Sequence, residues 1–210
     1  KKRATFRFFD LPTELRLRVY ELLLTLPESY VVDLDPQNYR RLAPIFLSLF
    51  LTSHRVHEEA SAVFFRTNTF RLFPTHGRFF HTKRPLLSRL PTTHRGQLTT
   101  CELRLGPGWT KPPRGWVVND ALGLQEVKKL RRLNVFVECD PASHDVFRGF
   151  RPSETFYTDF CVGLIRDVFA AAPSIVEIEF DGYPSVHKDS PLMVALKCEA
   201  KAKGKRVTWG

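Results

Sequence analysis

His54 and His57 stand one helical turn apart with Glu58 alongside, a spacing at which two imidazoles and a carboxylate could approach a divalent ion. A zinc site needs three or four converging ligands, and the surrounding residues suggest no third. These histidines are therefore expected on a helix surface, with Glu59 paired to Arg55 at i,i+4. Cys101, Cys139, Cys161 and Cys198 are widely separated and form no CxxC or CxH arrangement. That spacing argues against both a zinc site and a secreted disulfide scaffold, and reads as buried free thiols in a reducing compartment. GxSxG, P-loop, complete GxGxxG and HExxH patterns do not occur, and Gly106-Pro107-Gly108 suits a turn better than a phosphate cradle. The expectation is no enzyme: no catalytic residue, no metal and no cofactor.

Recognition chemistry is better represented. Residues 106–117, 140–153 and 181–191 carry Trp109, Lys111, Arg114, Trp116, His144, Phe147, Arg148, Phe150, Tyr183 and His187. Aromatic rings mixed with arginines are the composition of binding hot spots. Trp109, set between glycine and Lys-Pro-Pro, is the ring expected to be exposed, whereas Trp116, Phe147 and Phe150 could instead fold back over the core. The net charge is +10, and from Ala60 to Asn119 Glu102 is the only acid. That stretch includes Arg78, Lys83, Arg84, Arg89 and Arg95, a basic patch suited to an acidic protein, nucleic acid or anionic lipid. Its alternative is a solvated basic surface whose counter-charge lies elsewhere.

Positioning these residues requires a succession of short elements. Pro12 and Glu14 suit a helix start, and Leu11, Leu15, Val19, Leu22 and Leu26 form one apolar stripe. A strand over Tyr30–Leu34, a long helix from about Leu42 to Phe65 and a strand over Thr69–Phe73 follow. After a Pro-, His- and Arg-rich stretch the rhythm becomes strand, helix, strand. Strands are expected at Cys101–Leu105, Leu133–Cys139, Ile175–Phe180 and Lys205–Trp209. Helices are expected at Asn119–Leu130, Glu154–Ala171 and Leu192–Lys203. Strands alternating with helices imply right-handed crossovers and a parallel sheet, with the three recognition loops on its carboxyl edge. The fold class is α/β (α+β overall): a helix-strand-helix-strand start and a parallel β-α-β-α-β-α-β body. The division is 1–75, whose two strands could form a short hairpin, a basic linker at 76–98, and a body at 99–210, which could pack as one unit.

The opening run Leu11-Pro12-Thr13-Glu14-Leu15-Arg16-Leu17-Arg18-Val19-Tyr20-Glu21-Leu22-Leu23 is followed by Arg55-Val56-His57-Glu58-Glu59-Ala60 and Asn68-Thr69-Phe70. Together they resemble the F-box-like start of a group of fungal proteins, many of unassigned function. The resemblance covers about a third of the chain. It implies a docking module in which Leu11, Pro12, Leu15, Val19 and Tyr20 would meet a Skp-type adaptor of a cullin ubiquitin ligase. Leu11 and Leu15 cannot serve both that face and the core. Leu130-x-x-Leu133-x-Val135 is similar to the leucine-rich-repeat strands that follow many F-boxes, although the marker asparagine does not recur. An irregular repeat-like body and a small open sheet both remain open.

The expected function is a non-enzymatic receptor or scaffold, intracellular in nucleus or cytoplasm, with target binding at Trp109, Arg114, Trp116, His144, Arg148 and Tyr183. The alternative is a basic nucleic-acid- or chromatin-associated module. No stretch is apolar enough for a membrane span. The chain begins at Lys1 without Met, as expected of a piece of something longer.

Overall fold

The structure, a computed structural model, describes residues 6–75, 84–143, 145–150 and 152–210. Six strands form one all-parallel sheet: β1 (Val31–Val32), β2 (Thr69–Arg71), β3 (Thr100–Leu105), β4 (Arg132–Val137), β5 (Glu177–Gly182) and β6 (Arg206–Trp209). Their spatial order is their chain order. Parallel neighbours require crossovers, and crossovers of one hand in a sequential sheet stack on one face. Burial follows that rule. Phe70, Cys101, Leu133, Ile178 and Val207 form one inward row, and Leu103, Val135 and Phe180 form the next. All but Val207 are buried.

The opposite face carries the alternate residues. One row runs Arg71, Glu102, Asn134, Glu179, Thr208, and another runs Thr69, Thr100, Arg132, Glu177, Arg206. The period of two along each strand thus separates an apolar layer from a polar one. Because β2 pairs with β3, the first 75 residues and the body share this single sheet.

The start contains α1 (Thr13–Leu24), α2 (Pro36–Phe50) and α3 (His54–Thr67). The long helix expected over Leu42–Phe65 is thus two helices, parted at 51–53. Ser53 takes extended backbone and its hydroxyl accepts from the Val56 N–H, the work of an N-cap. The two short strands do pair with each other, but in parallel and not as the hairpin the sequence suggested, because a long crossover through α2 and α3 separates them. Asn68 ties the ends of α1 and α3 together. Its amide donates to the Leu24 and Phe64 carbonyls, and its oxygen accepts from the Leu26 N–H.

Short helices α4 (Leu86–Arg89) and α5 (Thr92–Arg95) lead into β3. The helix expected over Asn119–Leu130 is instead two 3-10 turns, Asp120–Leu122 and Leu124–Glu126. Gly123, at φ 75°, ends the first turn in left-handed backbone. Leu122, Val127 and Leu130 are nonetheless buried. Helices α6 (Phe156–Ala171) and α7 (Pro191–Ala202) form the remaining crossovers. No helix among the described residues is long and apolar enough to cross a membrane.

Candidate interaction surfaces

Helix α1 does not turn its leucine stripe into the core. Its buried residues are Arg16, Tyr20 and Leu24. Arg16 lies against α3, where its Nε and Nη2 donate to the two Glu59 carboxylate oxygens at 3.0 and 2.8 Å. Nη1 donates to the Leu11 carbonyl at 2.6 Å, closing the helix start over the pair. The bidentate contact holds Glu59 below the usual carboxylate range and raises Arg16. Arg55 joins Glu59 from the side at 3.2 Å, the i,i+4 contact that the sequence suggests.

Leu15, Leu22 and Leu23 consequently stand 52, 72 and 55 % exposed. Pro12 is exposed, and Leu11 and Val19 are half-buried. Tyr20, expected on the same outward face, is instead core, and burial raises its phenol. Leu23 also borders a notch of about 370 Å³ formed with Pro44, Ser48 and Leu49 of α2. Leu22 and Leu23 add to the face the sequence assigned. The signal for them is a helix with leucines on more sides than one core can cover.

The recognition loops do leave the carboxyl edge of the sheet together, but their residues divide. Trp116 is buried, stacks on Phe73 at 5.5 Å and donates its indole N–H to the Pro74 carbonyl, so it belongs to the core. Trp109, expected exposed, is half-buried, because Phe147 closes on it edge-to-face at 4.6 Å and Phe150 at 6.4 Å. Phe150 and Val146 are exposed beside it. Arg114 is exposed, and Arg148 pairs with Asp145 at 3.1 Å. His144 lies outside the described residues. Tyr183 leaves this cluster for the open sheet face, where its hydroxyl accepts from Arg104 and its ring meets Phe136 at 5.1 Å.

Folding brings four acids from elsewhere in the chain to the basic stretch, beside its own Glu102. Arg66 pairs with Glu21, Arg71 with Asp33 and Glu102, Arg95 with Glu126, and Arg104 with Glu138. Arg95 is thus an ion-paired strut rather than a free cation. Arg84 before α4 and Arg89 at its end are exposed, and Arg78 and Lys83 lie outside the described residues.

The chemically densest surface is one that the sequence did not single out. The open sheet face and the loop at 25–31 enclose a groove of about 900 Å³, at the upper end for ligand sites. Its floor holds Arg71, Glu102, Arg104, Arg132, Asn134, Phe136, Glu179 and Asp181. The available signal was the alternation in 100–105, 132–137 and 177–182, where every second residue is polar, charged or aromatic.

His54 pairs with Glu58 at 3.6 Å, while His57 packs on Phe50 and His94. Among the described residues no three His, Cys, Asp or Glu side chains gather as metal ligands would. Burial drives the Cys101 thiol up to about 12 and raises Cys161, so neither is a nucleophile near neutrality. Comparison of the chain with protein-family models, curated proteins and solved structures returns no match.

Proposed function

We propose that this chain is a non-enzymatic protein-interaction module, an F-box-like receptor or scaffold. Helix α1 offers an apolar face to a Skp-type adaptor, and a repeat-like body holds the target. The observation that carries this reading is the outward set of Leu15, Leu22 and Leu23. A helix that buries an arginine and a tyrosine while exposing three leucines has a second apolar face for a partner. The sequential, all-parallel strand order supports a body similar to leucine-rich-repeat solenoids, whose units meet only their neighbours. The setting consistent with such a role is the cell interior, nucleus or cytoplasm.

The test is co-elution with a purified Skp-type adaptor, at low and then moderate salt. A one-to-one complex that survives salt and is lost in Leu15→Asp/Leu22→Asp supports the reading. Absence of a complex, or one that the double variant leaves intact, refutes it. Phosphate binding along the acid-poor stretch draws less support, since four of its arginines already have carboxylate partners.

A further inference from the structure

On a chain with a formal net charge of +10, the groove over the open sheet face is lined by more carboxylates than guanidiniums. Four carboxylates line it, from Glu28, Glu102, Glu179 and Asp181, against the guanidiniums of Arg71, Arg104 and Arg132. Those guanidiniums are already engaged. Arg71 holds Asp33 and Glu102, Arg104 holds Glu138, and Arg132 reaches Glu177 and Glu179.

Glu28 on the loop wall and Asp181 on β5 have no cationic partner in any described ion pair. On the same floor, the Asn134 Oδ1 is a buried acceptor without a donor. The groove thus has a surplus of acceptors, and lysine and arginine heads are donor-only groups. Phe136 lies next to Asp181 in the register. Arg104 already sits 4.7 Å over that ring, so the floor accepts a cation on an aromatic face.

We propose that this groove binds an extended, lysine- or arginine-bearing segment of a partner protein, with Asp181 and Glu28 receiving its cations. The inference deepens the receptor reading and rests on it for the origin of the segment. The groove itself can be tested apart from the adaptor.

Short labelled peptides of glycine and serine, carrying lysines, glutamates or neither, are titrated by fluorescence anisotropy. The lysine peptide is expected to bind despite the overall positive field, and the other two are not. Asp181→Asn and Glu28→Gln alter exposed side chains, and each is expected to weaken binding about tenfold, the scale of one charge-assisted hydrogen bond. Asp181→Lys is expected to abolish lysine-peptide binding and admit the glutamate peptide. Equal binding of the three peptides, no binding of the lysine peptide, or unchanged affinity in both neutral variants overturns the proposal. A lysine peptide that binds while the adaptor does not supports the groove and refutes the adaptor reading alone. An adaptor that binds while the lysine peptide does not overturns the groove alone.

Discussion

Replacing Arg71 by methionine tests what the charges on the sheet contribute to stability. Arg71 and Glu102 are 8 and 7 % exposed, and the Arg71 Nε donates to a Glu102 oxygen at 2.8 Å. The Nη1 reaches Asp33 beyond β1, so one guanidinium joins three adjacent strands' worth of chain. An exposed ion pair contributes about 0–1 kcal/mol. Removing one partner of a buried pair costs roughly 3–5 kcal/mol, because the other charge is left without compensation. Burial decides for the larger figure. Arg71→Met should therefore lower the melting temperature by roughly 6–20 °C, at about 2–4 °C per kcal/mol for a chain of this size. Adding Glu102→Met removes the more buried of the stranded carboxylates and should restore at least about half of the loss. Urea unfolding of wild type, both singles and the double variant measures this, read from midpoints at constant slope. A loss under about 1 kcal/mol in Arg71→Met, or a double variant no better than additive, would show that water screens the pair as at a surface.

Acidification should act in two windows. Burial and the nearby His57 lower His94, so the unfolded chain binds the extra proton and stability falls as pH drops below about 6.5. His94→Phe should flatten that limb in pH-dependent urea midpoints, and an unchanged slope contradicts it. Hydrogen bonds from Arg166 lower Glu199, so its contribution is present above the ordinary glutamate value of about 4.3 and lost as pH falls through the folded value. Glu199→Gln should flatten only this lower window, and a change confined to pH 5–7 would refute the assignment. In native protein at pH 8, iodoacetamide followed by peptide mapping should label exposed Cys198 first and Cys101 and Cys161 only after unfolding. Early labelling of Cys101 would contradict its burial. Gly123→Ala forces left-handed backbone on a side chain and sets its Cβ 2.5 Å from the Arg95 guanidinium. It should cost about 1–3 kcal/mol in urea unfolding, and a neutral effect would refute the strain.

Much of the order of elements was legible because period two and period 3.6 alternate clearly along the chain. Cys101, Leu103 and Leu105 announce a strand, and Phe156 to Phe169 a helix. What failed was the choice of side. Leucine counting on α1 cannot register that Arg16 meets Glu59, a partner 43 residues away. The pair, not the stripe, turns the helix. The break at Ser53 and the interruption at Gly123 were visible as residue types but were outvoted by the apolar pattern around them. The groove was the least legible feature. Glu102, Asn134 and Glu179 are distant in sequence, and only register makes them a row.

The sequential strand order carries a consequence for variation over evolutionary time. Each strand leans on the one before it and the one after it, and no later segment threads back between earlier ones. A lengthened crossover or loop therefore displaces no pairing elsewhere, and a whole strand-and-crossover unit can be gained at a free edge without disturbing the register of the rest. Such an architecture diverges at its rims and in its length while its interior rows stay fixed. Relatives would then be recognisable by the spacing of their buried rows long after their loops had ceased to align.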